Sequence, residues 1–203
     1  MSKITVIVSD LGNVLIPFDY SIVINKLNKI DEGLGDRFAE RYKKNYRVHR
    51  AYEKWELTED EFTDIMLEWV EGHLNKTEFC KLFSEVFTVN EKMVSLLPKL
   101  KKNYKLVLLS NTNYIHRKFG WGSYPFVKHF EKLILSYEIG ALKPEPAIYK
   151  AVEEYTKRPP EEHIFIDDVL EYAEAAKNMG WDAIHFKSYE QTTEELKKRG
   201  ILF

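Results

Sequence analysis

Ile4-Thr5-Val6-Ile7-Val8-Ser9-Asp10-Leu11-Gly12-Asn13 is the stretch that decides the fold. Residues 4–8 are β-branched and apolar with little polar alternation, which predicts a strand buried on both faces. Asp10-Leu11-Gly12-Asn13 then interrupts it, so the strand delivers an acid to a loop. Working outward, the pattern returns in Lys105–Ser110, which runs into the turn and cap formers Ser110-Asn111-Thr112-Asn113. Leu133–Leu135 is a third candidate, His163–Ile166 leading into Asp167-Asp168 a fourth, and Ala183–Phe186 a fifth. Helical patterns separate most of them, near residues 91–102, 145–157, 170–179 and 190–199.

Strands alternating with helices predict an α/β protein with a Rossmann-like, doubly wound parallel sheet and helices on both faces. Ligands of such sheets bind beyond the carboxyl ends of the strands, where Asp10, Ser110 and the Asp167-Asp168 pair would all fall. The alternation fails between Pro17 and Thr88, which holds amphipathic helical patterns and no convincing strand. The expected organisation is therefore an α/β core of residues 1–16 and 89–203, with residues 17–88 inserted after the first strand as a helical unit. Within it, Thr58-Glu59-Asp60-Glu61 fits a capping box ahead of Phe62, Ile65, Met66, Trp69 and Val70, spaced along one helix face. Leu74, Phe79, Leu82, Phe83, Val86 and Phe87 repeat the theme, and such stripes read first as core packing. Pro98 predicts a kink or a late helix start inside the 91–102 pattern.

The chain has 203 residues, which at about 150 residues per domain suits one domain or one domain with an insert. Hydrophobic residues at 44% and charged residues at 31% fit a globular protein rather than a disordered one. Thirty Lys and Arg against 32 Asp and Glu leave a net charge of −2, so no global field attracts nucleic acid or an anionic membrane. An anionic ligand must be held locally. Cys80 is the single cysteine, which excludes an intramolecular disulfide and a cysteine-based zinc cluster and fits a reducing compartment; the cytoplasm is the default expectation. No apolar run reaches membrane-spanning length, and the first residues meet an acid too early for a signal peptide. Without an export signal the sequon Asn75-Lys76-Thr77 carries no weight.

Four polar features remain, in fixed order: Asp10 after a buried strand, the Ser110-Asn111 turn, Lys143 in Leu142-Lys143-Pro144-Glu145-Pro146, and Asp167-Asp168. Each alone reads as a loop former, a cap or a solvated charge. As an ordered set, this sequence resembles the haloacid dehalogenase superfamily over nearly its whole length, and residues 17–88 look like the small cap that members insert after the first motif. Asp10-Leu11-Gly12-Asn13-Val14, Ser110-Asn111-Thr112-Asn113-Tyr114-Ile115-His116 and Lys143-Pro144-Glu145-Pro146-Ala147-Ile148-Tyr149 look closest to a bacterial branch of sugar-phosphate phosphatases of the glucose-1-phosphate type. The stretch from Tyr52 to Phe62 resembles that branch's cap, with Trp55 where a glycine is usual.

The resemblance implies a Mg²⁺-dependent phosphatase acting on a small phosphorylated metabolite, a sugar phosphate for choice, through an aspartyl-phosphate on Asp10. Phosphate monoesters are dianions, so a carboxylate nucleophile needs cations around the phosphate. Asp10, the Gly12 carbonyl and Asp168 are the implied metal ligands, with Asp167 acting through a water or orienting Lys143. Lys143 supplies positive charge; Ser110, Asn111, Thr112 and nearby amides hold phosphate oxygens. Most phosphatases of the superfamily place a second aspartate two residues after the nucleophile, where this chain has Gly12. Losing a positioned general acid costs about 10²- to 10⁴-fold. Either the leaving group is acidic enough to depart with little help, as an anomeric phosphate is, or another group such as His116 takes the role. The plain alternative for His116 is a cap-facing histidine that contacts substrate without moving a proton. Tyr46, His49, Arg50 and Trp55 form a polar and aromatic neighbourhood that could meet a sugar, or could simply pack. A metal-independent 2-haloacid dehalogenase and a phosphate-binding scaffold with weak turnover are the competing functions; Asp167-Asp168 opposes the first and Gly12 favours the second. Phosphoryl transfer to an acceptor other than water is also open. The expected assembly is a monomer or homodimer.

Overall fold

A computed structural model describes residues 4–203, so the first three residues assigned to the core lie outside the described residues. Five strands, β1 (Val6–Ser9), β2 (Lys105–Ser110), β3 (Lys132–Leu135), β4 (His163–Asp167) and β5 (Asp182–His185), pair in parallel in the order β3-β2-β1-β4-β5. All five predicted strands are present, each displaced by one or two residues at most at either end. The first starts at Val6 rather than Ile4, and β4 extends to include Asp167.

Side chains alternate across the sheet as the pleat requires. Ile7, Leu106, Leu108, Ile164, Ile166 and Ile184 enter one buried cluster, and Val6, Val8, Val107, Leu109, Phe165 and Ala183 enter another on the opposite face. A strand buried on both faces needs no polar positions, which is why these segments read as unbroken apolar runs.

The chain between β1 and β2 forms α1 (Ser21–Ile30), α2 (Leu34–Lys44), α3 (Tyr46–Glu53), α4 (Glu59–Trp69), α5 (Lys76–Ser84), α6 (Glu91–Val94) and α7 (Leu97–Leu100). After β3 come α8 (Ser136–Ile139) and α9 (Pro146–Thr156); α10 (Leu170–Asn178) precedes β5 and α11 (Tyr189–Lys198) follows it. Met93, Leu96, Leu97, Leu100 and Leu196 bring α6, α7 and α11 onto one face of the sheet. Ile148, Tyr149, Val152, Ala173 and Ala176 bring α9 and α10 onto the other. Pro98 lies in the first turn of α7, where its missing N–H costs no helical hydrogen bond, and the 91–102 pattern is divided there into two short helices.

Helices α1 to α5 build a third apolar cluster of their own around Val23, Leu27, Phe38, Tyr52, Phe62, Met66, Phe79 and Phe83. The capping box at Thr58 is present, with Thr58 Oγ1 accepting from Glu61 N at 3.2 Å and Glu61 Oε2 accepting from Thr58 N at 2.8 Å. Asn75 and Glu78 repeat it at the start of α5, so the sequon asparagine is a helix cap. The chain enters and leaves this helical region side by side: Phe18 bridges Phe87 antiparallel, and Thr88 N donates to Pro17 O at 2.8 Å. Among the described residues no helix is long and apolar enough to cross a membrane.

Candidate active site

Strand β1 lies between β2 and β4, so the chain departs from it in opposite directions and leaves a crevice at its carboxyl end. Asp10 sits there, its backbone N–H donating to Ile166 O at 2.8 Å and its carbonyl accepting from Ser9 Oγ at 2.7 Å. Lys143 reaches the same point from the loop before α9. Its Nζ lies 2.6 Å from Asp10 Oδ1 and 2.6 Å from Asp167 Oδ2, and the side chain is only 2% exposed. The Phe165 and Tyr172 rings flank the ammonium at 5.4 and 5.2 Å.

The supporting bonds are equally specific. Asn111 Nδ2 donates to Lys143 O at 3.1 Å while Lys143 N donates to Asn111 Oδ1 at 2.8 Å, which fastens the lysine loop to the end of β2. The peptide bond Lys143–Pro144 is cis. Asp167 divides its oxygens, giving Oδ2 to Lys143 and accepting the Val169 N–H on Oδ1 at 2.8 Å. Asp168 Oδ2 accepts from Asn13 Nδ2 at 2.9 Å, and Asn13 adopts φ 53° in the turn after Gly12.

Carboxylate oxygens of Asp10, Asp167 and Asp168 lie within 4.8 Å of one another. Burial pushes the Asp10 carboxyl up to about 7; the Lys143 ammonium opposes that shift, and the neighbouring Asp167 and Asp168 add to it. For Lys143 burial works downward, but the two carboxylates outweigh it and hold the ammonium protonated well above the ordinary lysine range. Three acids around one lysine are short of positive charge, and the donors are all oxygen, so the set fits a hard divalent cation. The Gly12 carbonyl accepts the Val14 N–H and keeps a second lone pair. A second group of metal-capable side chains, Asp31, Glu71 and His73, is exposed, and Arg37 pairs with both of its acids at 2.9 Å.

Of the residues expected to hold phosphate, Ser110 is buried at the end of β2 with only a long contact from Oγ to Asn111 O at 3.4 Å. The Asn111 amide is committed to the lysine loop on both sides. Thr112 N donates to Ser136 Oγ at 2.9 Å, and that hydroxyl donates back to Thr112 O at 2.9 Å. The Asn111 side chain and the Thr112 N–H therefore fix the loop; Ser110 and Lys143 carry the groups suited to an anion.

A cavity of about 130 Å³ opens beside this centre, lined on one side by Gly12, Ser110, Asn111 and Thr112 and on the other by Tyr20, Tyr42, Tyr46, His49, Glu53 and His116. The sequence drew attention to Tyr46, His49 and His116 but not to Tyr20, Tyr42, Glu53 or Trp121, all of which line it. The i,i+4 spacing of His49 and Glu53 on α3 was the available signal. Trp55 is not among the lining residues; it adopts φ 60° and contacts Tyr52, Tyr114 and Tyr137 at 6.0 to 6.3 Å between ring centroids. Arg50 pairs with Glu53 at 2.9 Å.

His116 stacks on Phe83 at 4.6 Å and meets Phe87 edge-on at 5.1 Å. Burial pushes its pKa down to about 3, so the imidazole is neutral at physiological pH. Asn113 Oδ1 caps the turn by accepting His116 N at 2.9 Å. A Cβ at Gly12 would stand 3.3 Å from Phe18 Cε1, so the room beside residue 12 is occupied by an aromatic ring.

The haloacid dehalogenase-like hydrolase profile matches residues 4–180. The chain belongs to the haloacid dehalogenase-like hydrolases. A HAD-family enzyme of Bacteroides thetaiotaomicron has 30% identity to this hydrolase, covers 96% of it and 99% of itself, and superposes with a TM-score of 0.84. A complex of the same Bacteroides enzyme with magnesium and inorganic phosphate superposes with a TM-score of 0.79 at 31% identity, covering 91% of this chain and 94% of its own. A curated D-ribitol-5-phosphate phosphatase from that organism is 24% identical over 197 residues, 94% of this hydrolase and 95% of its own length.

Proposed function

We propose that this hydrolase is a magnesium-dependent phosphatase of small phosphorylated polyols or sugars, with Asp10 as the nucleophile. The observation that carries it is the Asp10–Lys143–Asp167 contact at the crevice, with Asp168 beside it. The likeness to a ribitol-phosphate phosphatase and to a Bacteroides enzyme solved with magnesium and phosphate supports the activity. At about 130 Å³ the cavity is below the roughly 300–1,000 Å³ of ordinary ligand pockets, which suits a leaving group of few carbons.

Asp10 Oδ1 is held by Lys143, and Oδ2 lies toward Gly12, 3.9 Å from where a Cβ would stand there. Oδ2 attacks phosphorus, the bond to the leaving oxygen breaks, and an aspartyl-phosphate forms that water later hydrolyses. Lys143 screens the dianion from the nucleophile, and Ser110 Oγ binds one of its oxygens. Asp10, Asp168 and the Gly12 carbonyl would hold magnesium, with Asp167 orienting Lys143. Magnesium would supply positive charge to the transferring phosphoryl group. His116, neutral and enclosed by Phe83 and Phe87, is assigned to the substrate wall rather than to proton donation. Gly12 supplies no acid, so the leaving oxygen of a polyol takes its proton from water, while the more acidic leaving oxygen of an anomeric phosphate needs less help. Residues 17–88 act as the cap that selects the substrate and shields the crevice. The crowd of carboxylates counts against halide release, because a departing anion gains nothing from three acids.

The test is phosphate release from a panel of polyol, sugar and nucleoside phosphates with magnesium or with chelator, against Asp10→Asn. Magnesium-dependent release from a small polyol or sugar phosphate is expected. A panel on which wild type never exceeds Asp10→Asn would refute the assignment.

A further inference from the structure

Glu53 is a carboxylate only 6% exposed that lines the same cavity as Gly12 and Ser110. Beside a site built for phosphate, a fixed negative charge repels the ligand's anionic end, so its place is toward the other end of the molecule. His49 Nε2 lies 3.2 Å from Glu53 Oε1 and Arg50 Nη1 lies 2.9 Å from Oε2, contacts that keep the acid ionised and fix its orientation. Tyr42 Oη, 2.6 Å from His49 Nδ1, fixes the imidazole in turn. Glu53 is among the residues lining the cavity and Arg50 is not. Glu53 is therefore a fixed acceptor on the wall of a single small space.

We propose that Glu53, set by His49, forms a subsite for an uncharged, hydroxyl-bearing leaving group and rejects leaving groups carrying a carboxylate or a second phosphate. The inference rests on the phosphatase assignment above and narrows its substrate class. A hydroxyl donates to the carboxylate, whereas an anionic group meets like charge in a water-poor pocket. Discrimination of this kind exceeds what apolar contact supplies, because it leaves buried polar groups unpaired or opposed.

Glycerol 3-phosphate and 3-phosphoglycerate form the test pair, since their leaving groups have three carbons each and differ by a carboxylate. The readout is the ratio of their kcat/KM values within each protein, so a general loss of activity cancels. Wild type is expected to favour the neutral ester by about tenfold or more, Glu53→Gln to lower that ratio by about tenfold, and Glu53→Asp, which keeps the charge, to retain most of it. Thermal melting confirms that each variant is folded. Release from p-nitrophenyl phosphate with no preference for the neutral member of the pair, or a ratio that survives Glu53→Gln unchanged, would overturn the subsite alone. If neither p-nitrophenyl phosphate nor any ester of the panel above is hydrolysed beyond the Asp10→Asn level, the phosphatase assignment falls, and the subsite with it.

Discussion

At the scale of single residues, Lys143 is the group on which the site's electrostatics depend. Among the described residues its ammonium is the one cation within 2.6 Å of both Asp10 and Asp167, and removing it leaves buried acids facing one another. Lys143→Met should therefore destabilise the metal-free protein by about 3–5 kcal/mol at neutral pH. The loss should be smaller at pH 5, where the acids can take up protons, and smaller again when magnesium is added; equal losses at both pH values in a denaturant titration would argue against the charge account. Asp10 makes a second, separable prediction. In the metal-free folded state its carboxyl titrates near 7, against 3.8 as the ordinary value. The folded protein thus holds a proton that the unfolded chain releases between roughly pH 4 and 7, and stability falls as pH rises through that window. With chelator present, Asp10→Asn should gain melting temperature over wild type more at pH 8 than at pH 5.

At the scale of elements, the ends of the helices are set by local chemistry that tolerates no shift in register. The Thr58 and Asn75 boxes each satisfy two N–H groups that would otherwise lack partners. Thr58→Ala should cost about 1 kcal/mol, read as a lower denaturant midpoint at unchanged slope. The strand ends matter in a different way. Asp10 follows β1 directly, Ser110 closes β2 and Asp167 closes β4, so the parallel register, with Ser9 opposite both Leu108 and Ile166, brings the three groups to one edge. A one-residue slip would turn each of them to the other face.

At the scale of the whole molecule, the helical region and the sheet meet where α5 packs on the segment after β2. Phe83 lies fully buried there, stacked on both Phe79 and His116 at 5.3 and 4.6 Å. Lys54 adds an ion pair to Glu145 at 3.3 Å, and Trp55 contacts Tyr114 and Tyr137. Phe83→Ala should cost about 3–5 kcal/mol through the cavity it opens. It should also lower kcat/KM on the best substrate by freeing His116, whereas an equally destabilising truncation of Leu27, a residue of the helical cluster that does not line the cavity, should leave kcat/KM near wild type at a temperature where both are folded. The sequence by itself determined the parallel α/β sheet, the helical stretch after the first strand, and Asp10, Ser110, Lys143 and Asp167-Asp168 as one set. Those features are written in local apolar runs and in polar residues at strand ends. Only the tertiary structure decided that Asn111 fastens the lysine loop, that His116 is enclosed and neutral, and that Trp55 packs away from the cavity. It alone brought Glu53 and Trp121 to the cavity that Gly12 also lines, because burial and charge environment arise from segments far apart in the chain, which no local spacing encodes.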